Sequence, residues 1–339
     1  MRAYVERMWR REAGAAGKAL QAALTPAELL FRAVVRARNA AYAHELMPAA
    51  RAKVPVLSVG NIVVGGAGKT PLTAWLARRL ADAGHSPAVL HGGYAEDEPE
   101  LHRAWNPDIP VYVGRDRVLS ARAATDAGAS VLLLDDGFQH RRLDRDVDLV
   151  LVPAESWTAV PHLLPRGPWR EPVAALRRAS ALVITHRASS LAQLQAARDG
   201  ASAVAPDVPV MVVALVADRW RAGADALAPA AAGARSPDQP VIAVTAIAQP
   251  ALFVENARAA GATVDELIAF PDHHAFDTAD AAEIVSRAAG RGIVTTAKDW
   301  IKLQALLPAA QVHVLEQRVV LEQGSDELDA LLARLVARS

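Results

Sequence analysis

Short apolar runs alternate along most of the chain with segments of helical spacing. Runs rich in β-branched residues predict strands, and segments with apolar residues three or four apart predict helices. The predicted strands are 54–59, 87–90, 109–113, 131–134, 148–153, 181–185, 210–216, 241–246 and 293–295. Strands alternating with helices are typical of a parallel sheet covered on both faces, so we expect an α/β fold with a doubly wound parallel sheet.

The strand predicted at 54–59 leads into a glycine-rich turn, which a helical pattern follows. The turn reads Gly65-Gly-Ala-Gly-Lys-Thr-Pro71. Strand, glycine loop, Lys-Thr and helix are the context of a phosphate-binding P-loop. The glycines let backbone N–H groups face an anion, Lys69 adds positive charge for the β/γ-phosphates, and the Thr70 hydroxyl can ligate Mg²⁺.

One position of this turn departs from the common P-loop pattern. The pattern has a glycine five residues before Gly68, where this chain has Val63. An ordinary tight strand-to-helix turn is the alternative. Because Gly-Lys-Thr seldom arises by accident in this context, we predict a nucleotide site. Its cofactor-binding residues are Gly65, Gly66, Ala67, Gly68, Lys69, Thr70 and Pro71.

A second motif follows the four consecutive large apolar residues of 131–134. Asp135 and Asp136 stand at the end of this predicted strand. A strand buried on both faces and ending in carboxylates downstream of a P-loop indicates a Walker-B role, in which an acid binds Mg²⁺ directly or through water. An Asp-Asp-Gly sequence alone is more often a simple turn.

Two further segments carry candidate chemistry. The Pro-rich segment 163–172 contains Arg166, Arg170 and Glu171, and is either a plain connector or a loop whose arginines hold an anionic group. Phe270-Pro-Asp-His-His-Ala-Phe276 contains adjacent histidines, which form a poor chelate for a metal. A histidine that assists a general base and a solvated loop both remain open for this segment.

Composition limits the classes of function. The 339 residues contain 37 basic and 37 acidic side chains, so no global field indicates nucleic acid as a partner. The absence of cysteine excludes disulfides and thiolate sites and fits a reducing compartment. No apolar run is long enough to span a bilayer, and the N-terminus lacks the core of a secretory signal. We therefore expect a protein of the cytoplasmic side.

Residues 1–50 are helical in character and locally basic. Thr25-Pro-Ala-Glu28 predicts a capping box with Pro26 at the first helical position. An apolar face then lies beside arginines. Such a helix either lies in a membrane interface or simply packs on the domain, and the residues alone do not separate these readings. The basic residues are Arg2, Arg7, Arg10, Arg11, Lys18, Arg32, Arg36 and Arg38.

Taken together and in order, these motifs resemble the tetraacyldisaccharide 4′-kinase family of lipid A biosynthesis. The resemblance covers about 54–303. It rests on Gly60-Asn61, the P-loop, Asp97-Glu-Pro99, Val113-Gly-Arg-Asp-Arg-Val118, Asp135-Asp-Gly-Phe-Gln-His140, Leu163-Leu-Pro-Arg-Gly-Pro-Trp-Arg-Glu-Pro172, Asp272-His-His274 and Lys298-Asp299. Members of the family share a P-loop that lacks the first glycine. Where the family has Ser-Arg-Gly-Tyr-Gly, this chain has His91-Gly-Gly-Tyr-Ala, so Gly92 stands at the arginine position.

The resemblance implies transfer of the ATP γ-phosphoryl group to the 4′-hydroxyl of tetraacyldisaccharide 1-phosphate, with ATP and Mg²⁺ as cofactors. It implies Asp97 as the catalytic base with His273 assisting it, and Lys69, Asp135 and Asp136 at the phosphoryl centre. Thr70 and Asp135 would hold the metal. The residues implied for the substrate or phosphoryl site are Arg170, Glu171, Gln139 and His140.

The resemblance also implies the organisation of the chain and its place in the cell. Residues 1–50 would be a membrane-associating helical segment, 51–209 the P-loop kinase domain, and 210–339 a smaller α/β domain with hinge strands and a C-terminal helix. The enzyme would act as a peripheral protein, favoured to be a monomer, on the cytoplasmic face of the inner membrane. The alternatives are a P-loop kinase or ligase for a soluble metabolite, and a nucleotide-binding protein without catalysis.

Overall fold

The described residues of the chain form eleven strands and eleven α-helices. The computed structural model describes residues 2–9, 13–93, 97–158, 161–227 and 233–337. The strands are β1 (Val56–Asn61), β2 (Pro87–His91), β3 (Val111–Val113), β4 (Val131–Asp135), β5 (Val147–Pro153), β6 (Ala181–His186), β7 (Val210–Ala222), β8 (Val241–Thr245), β9 (Val264–Ala269), β10 (Gly292–Thr296) and β11 (Val312–Gln323).

The helices lie mainly between these strands. They are α1 (Arg2–Trp9), α2 (Gly14–Ala23), α3 (Thr25–Ala43), α4 (Lys69–Asp82), α5 (Asp97–Trp105), α6 (Arg117–Asp126), α7 (Leu191–Val204), α8 (Pro250–Ala259), α9 (Thr278–Ala288), α10 (Ala297–Leu303) and α11 (Ser325–Val336). Two basic residues of the predicted N-terminal segment, Arg10 and Arg11, lie outside the described residues.

Contacts between Cα atoms divide the chain into two compact units, each discontinuous in sequence. The first compact unit comprises Met1–Lys69, Asp116–Ala214 and Leu321–Ser339, and the second comprises Thr70–Arg115 and Leu215–Val320. Strands β7 and β11 each contribute residues to both units. The division into domains predicted from the sequence, at 50/51 and 209/210, stays a prediction.

The first compact unit is built on the parallel strands β4-β1-β5-β6-β7. Strand β1 is buried throughout because its apolar residues have neighbouring strands on both sides. The carboxyl ends of β1 and β4 lie together, with Val59 opposite Asp135. A loop that leaves β1 therefore begins beside the acidic end of β4, which is where α/β folds place ligands.

The second compact unit contains the parallel pair β2-β3 and the parallel strands β11-β10-β8-β9. Helices α5 and α10 contribute Leu101 and Trp300 to one of its apolar cores, with Ile242 and Ile293 from the strands. Since Asp97 begins α5 and Lys298 and Lys302 belong to α10, this packing fixes the distance between those side chains.

The capping box predicted at Thr25 is wrong. Helix α3 begins at Thr25 and has Pro26 near its start, but its N-cap residue is Leu24 and no side chain caps it. Glu28 is buried instead, and its carboxylate accepts a bond from the Leu163 amide at 3.0 Å and pairs with Arg166 at 3.3 Å. The Glu28 carboxylate thus anchors the segment 163–172. These tertiary contacts stabilise it more than a local cap of α3 would.

Within the described ranges, none of the helices combines the length and the apolar character that crossing a bilayer requires.

Candidate active site

The P-loop of the first compact unit leaves β1 at Asn61 and ends at Lys69, the first residue of α4. Gly65 and Gly68 have φ values of 119° and 88°. A side chain would strain this backbone conformation, so glycine is required there. The carbonyl of Ala67 accepts a bond from Thr185 Oγ1 at 3.0 Å, which ties the loop to the end of β6.

The Pro-rich segment 163–172 runs beside the start of the P-loop. The Val64 amide donates to the Pro168 carbonyl at 2.7 Å, and the Arg170 amide donates to the Ile62 carbonyl at 2.8 Å. Backbone N–H and C=O groups need such partners when they are buried, so these bonds hold the segment against the P-loop. They place the Arg170 side chain at the carboxyl ends of β1 and β4.

Lys69, Asp136 and Arg170 form one charged cluster at this edge of the sheet. The guanidinium of Arg170 donates to both carboxylate oxygens of Asp136, at 3.1 and 2.9 Å, and Lys69 Nζ lies 3.6 Å from Asp136 Oδ1. Arg170 also donates to Asn61 Oδ1. The structure thus brings together three residues that the sequence predicts for one site.

Asp136 contacts two cationic side chains, and these determine its protonation state. Burial alone would raise the pKa of Asp136, but Lys69 and Arg170 outweigh it and hold that pKa well below its usual range. The residue also has a left-handed φ of 57°, a conformation that Asp tolerates better than most residues. Asp136 is therefore an ionised carboxylate held in a fixed orientation.

Asp135 is the last residue of β4 and is almost completely buried. Carboxylate oxygens are hard donors and suit Mg²⁺, as does the hydroxyl of Thr70 at the beginning of α4. The donor chemistry of the two residues predicted as metal ligands therefore fits this ion.

The predicted residues Gln139 and His140 follow in the same turn. Gln139 Nε2 donates to the Asn61 carbonyl at 2.8 Å, so it supports the first residue of the P-loop. Burial, followed by the nearby guanidinium groups of Arg117 and Arg142, lowers the pKa of His140 to about 4. His140 is consequently neutral at physiological pH.

Glu171 lies next to Arg170 in sequence but faces helix α3. Its carboxylate is completely buried and binds Arg38 Nη2 at 3.2 Å, Asn39 Nδ2 at 2.8 Å and Arg178 Nη2 at 3.1 Å. These three partners belong to the first compact unit. Glu171 is thus held by helix α3 and Arg178, whereas Arg170 contacts Asp136.

In the second compact unit, Asp97 is surrounded by three nitrogen groups. Its Oδ2 lies 3.7 Å from His273 Nδ1, 3.9 Å from Lys298 Nζ and 3.6 Å from Lys302 Nζ. These are ion-pair distances rather than hydrogen-bond distances. Burial would raise the pKa of Asp97, whose side chain is only 4% exposed, but His273 and the two lysines lower it to about 2.

The segment that carries His273 is held in an unusual conformation. His273 has a left-handed φ of 62°, and its amide donates to the Ala246 carbonyl at 3.1 Å. Lys298 Nζ lies 3.2 Å from His273 Nε2. The neighbouring His274 instead pairs with Asp280 at 2.7 Å. The two histidines thus have different partners, as two adjacent ligands of one metal would not.

Asp299 fastens the helix that carries the lysines. It is completely buried and accepts bonds from Thr245 Oγ1 at 2.8 Å, the Ala246 amide at 3.1 Å and Thr296 Oγ1 at 2.8 Å. These bonds join the ends of β8 and β10 to the first turn of α10. Lys298 and Lys302 therefore project from a fixed support.

The segment in which this chain departs from the family pattern begins at His91. His91 is buried, its Nε2 lies 2.9 Å from Glu98 Oε2, and its Nδ1 accepts a bond from the Gly93 amide at 3.1 Å. Tyr94, which belongs to the predicted motif, lies outside the described residues. The imidazole of His91 therefore supports the start of α5, where Asp97 lies.

The chain is similar to known proteins over nearly its whole length. A family model for "Tetraacyldisaccharide-1-P 4'-kinase" (LpxK) matches residues 20–337. The chain belongs to this family. A tetraacyldisaccharide 4′-kinase of Anaeromyxobacter dehalogenans strain 2CP-C is 39% identical, over 96% of this chain and 93% of the relative. One of Anaeromyxobacter sp. strain Fw109-5 is 41% identical, over 97% of both chains.

A solved structure is similar over nearly the whole length. The crystal structure of LpxK from Aquifex aeolicus in complex with ATP has a TM-score of 0.74 and 27% sequence identity, and the match covers 94% of this chain and 99% of that chain. The predicted family, the α/β fold class and the prediction of a 4′-kinase are confirmed. The roles predicted for individual residues stay predictions.

Three side chains that contact predicted site residues received no role from the sequence. Asn61, Lys298 and Lys302 contact predicted site residues directly. Asn61 carries a signal that could have been used, because it is a polar residue at the end of an otherwise apolar strand. The sequence around Lys302 contains no such signal, since its contact with Asp97 depends on how α10 packs against α5.

Proposed function

We propose that this chain transfers the γ-phosphoryl group of ATP to the 4′-hydroxyl of tetraacyldisaccharide 1-phosphate, a step of lipid A biosynthesis. The main support is the cluster in which Lys69 of the P-loop and Arg170 both contact Asp136, in a chain that belongs to the tetraacyldisaccharide 4′-kinase family. Phosphoryl transfer depends chiefly on positioning and on neutralising charge, and this cluster is built from the groups that do both.

In this proposal the P-loop binds the phosphates of ATP. The backbone amides of residues 65–68 and the start of α4 face the anion, and Lys69 neutralises the β/γ-phosphates. Asp136 keeps Lys69 and Arg170 in place before the nucleotide binds, since it contacts both. When ATP binds, these cations become available to the transferring group. Gln139 supports the loop through Asn61.

Thr70 and Asp135 would hold Mg²⁺. The ion would neutralise phosphate charge when bound. Asp135 would offer its carboxylate from a fixed position at the end of β4.

Asp97 is proposed as the base that takes the proton of the 4′-hydroxyl. The cations Lys298 and Lys302 keep the carboxylate ionised, and together with His273 they fix its orientation. A pKa of about 2 makes it a weak base in the ground state. That is sufficient in a reaction whose acceptor oxygen becomes strongly acidic only as the new P–O bond forms.

We further propose that the enzyme works at a membrane surface, on the cytoplasmic face of the inner membrane. Helix α3 exposes three apolar side chains, Leu29 at 58%, Leu30 at 69% and Val34 at 59%. Arg36 lies on the same helix and is also exposed. Apolar side chains that enter the interface and arginines that attract anionic lipids together hold a helix on a membrane.

The test of the activity is transfer of labelled γ-phosphate from ATP to tetraacyldisaccharide 1-phosphate in detergent micelles. The comparison uses wild type, Lys69→Ala and Asp97→Ala, with Lys53→Ala and Asp265→Ala as charge-matched surface controls. We expect labelled lipid from wild type and both controls, and loss of most of the label from the two site variants. ATP hydrolysis without labelled lipid would contradict the proposal and favour a soluble acceptor.

The test of the membrane role is sedimentation with vesicles. Leu30→Ser and Val34→Ser are combined in one variant, and we expect this variant to bind vesicles containing anionic lipid at least several-fold more weakly than wild type. Val285→Ser, at an exposed apolar residue of α9, serves as the control. Equal binding by all three proteins would contradict a membrane role for α3.

A further inference from the structure

Three guanidinium groups converge near the end of helix α3. Arg38 and Arg178 bind the two oxygens of Glu171, at 3.2 and 3.1 Å. Arg178 also donates to Asn39 Oδ1 at 3.3 Å, and Arg141 donates to the Asn39 carbonyl at 2.9 Å. Arg38, Arg141 and Arg178 are called the arginine triad below. All members of the triad belong to the first compact unit.

The triad carries more positive charge than its surroundings neutralise. Among the residues that the structure describes, Glu171 is the one carboxylate that pairs with the triad, and Arg141 makes no ion pair with a carboxylate. Burial and the nearby Arg178 and Arg145 lower the pKa of Arg141, the direction expected when guanidinium groups are crowded together. An anion that contacts Arg141 would relieve this repulsion.

The side chains are built to hold such an anion. Glu171 is completely buried and orients Arg38 and Arg178. Arg141 lies over the Tyr42 ring at 5.0 Å, and Arg178 lies over the Phe138 ring at 4.3 Å. A guanidinium stacked on an aromatic face keeps its N–H groups free to bind oxygen atoms at its edge. Phosphate oxygens match this arrangement best.

The surface of α3 next to the triad indicates what kind of molecule brings the phosphate. Leu30, Val34 and Arg38 follow one another at four-residue spacing, so they lie along one face of the helix. Leu30 and Val34 are exposed, and Arg38 is about one-third exposed. An apolar strip that ends at an arginine group fits an amphiphile with a phosphate at the end of its apolar part.

We propose that the arginine triad binds the phosphate group of a lipid whose acyl chains contact Leu30 and Val34. Two lipids offer this chemistry, namely the acceptor through its 1-phosphate and a phospholipid of the bilayer. The first source rests on the proposed function. In both cases Glu171 acts as a positioning residue, because it orients Arg38 and Arg178 and contacts the lipid only through them.

The experiment compares acceptors with and without the 1-phosphate, using the full chain in detergent micelles. For Arg141→Gln we expect KM for the 1-phosphate acceptor to rise about tenfold, the effect of one charge-assisted hydrogen bond. The KM for ATP should stay constant and kcat should change less than twofold. With the acceptor that lacks the 1-phosphate, wild type and Arg141→Gln should have the same KM. Arg141→Lys should recover part of the loss.

Arg177→Gln is the matched control. Arg177 is exposed, is adjacent to Arg178 in sequence and donates to the Val204 carbonyl. The variant removes the same charge outside the triad, so its KM should equal that of wild type for both acceptors. Thermal unfolding of each variant shows whether an effect reflects loss of the fold.

Vesicle binding distinguishes the two sources of phosphate. If Arg141→Gln leaves both KM values unchanged but weakens binding to anionic vesicles about tenfold more than Arg177→Gln does, the triad binds a bilayer phospholipid. If neither KM nor vesicle binding changes, the proposal is overturned. If wild type labels no acceptor at all, the proposed function fails, and vesicle binding alone then decides whether the triad binds phosphate.

Discussion

Asp97 Oδ2 and His273 Nδ1 lie 3.7 Å apart, and both residues belong to the second compact unit. The domain boundary predicted from the sequence, at 209/210, places these residues in different domains. In the structure the pair is already formed, because α5 and the segment of His273 belong to the same unit. The base and the nitrogen groups around it are therefore organised within one unit.

The first prediction concerns Asp97→Asn. The amide has nearly the same shape but cannot take a proton, so we expect kcat to fall by roughly 10²- to 10⁴-fold, the usual contribution of a general base. The affinity for ATP should not change. The measurement is label transfer to the lipid together with equilibrium nucleotide binding. Asp265→Asn, at an exposed residue of β9, is the control, and an equal loss in both variants would argue against the assigned role.

The second prediction concerns how the unfolding free energy depends on pH through Asp97. Its pKa in the folded chain is about 2, below the ordinary value of 3.8. A lowered pKa contributes stability that is present above the unfolded pKa and is lost as the pH falls through the folded pKa. We therefore expect wild type to lose about 2 kcal/mol of unfolding free energy between pH 4 and 2 on account of this group. Denaturant unfolding of Asp97→Asn should show a shallower decline; identical slopes would refute the prediction.

The third prediction concerns Lys302→Met. Lys302 Nζ lies 3.6 Å from both Asp97 and Asp299, and donates to the His274 carbonyl at 3.0 Å. Without this cation the pKa of Asp97 rises toward its ordinary value. The acid limb of the kcat/KM profile should move up by roughly one pH unit. Lys53→Met controls for the loss of a surface charge. A lower rate with an unmoved acid limb would show that Lys302 does not act through Asp97.

The sequence predicts the P-loop, the strand ending at Asp135 and most of the other strands, since each is a local pattern. Strands β9 and β11 are not predicted, because polar residues interrupt their apolar positions. The contacts of Lys302 with Asp97 and of Glu171 with its partners are not predicted either. Their contacts join segments that are distant in the chain, and no local pattern records such packing.

Glu28 is another residue whose contacts a local sequence pattern does not predict. The spacing from Thr25 predicts a local cap, yet the tertiary contacts with Leu163 and Arg166 prevail. A buried carboxylate is stabilised far more by an amide and two guanidinium groups than by one helix amide. Burial raises the pKa of Glu28, but these bonds outweigh that effect and hold the pKa below its usual range.

The fourth prediction follows from that anchoring. Glu28→Gln keeps the shape but removes the charge opposite Arg32 and Arg166. We expect a loss of about 1–3 kcal/mol in unfolding free energy, the cost of leaving buried donors poorly paired. We also expect faster proteolysis after Arg166, because the Arg166 side chain loses its carboxylate partner. Glu255→Gln, on the exposed side of α8, should unfold like wild type, and equal stability of all three proteins would contradict the anchoring.

The last prediction concerns two glycines near the nucleotide site. A Cβ added at Gly60 would lie 2.4 Å from Phe138 Cβ and 2.7 Å from its amide nitrogen, so the turn after Asp135 and Asp136 would have to move. We expect Gly60→Ala to lower the unfolding free energy by about 1–3 kcal/mol and to abolish ATP binding. A Cβ at Gly66 meets no atom within 4 Å. Gly66→Ala should therefore melt like wild type, and a normal melting temperature for Gly60→Ala would show that the contact with Phe138 is readily relaxed.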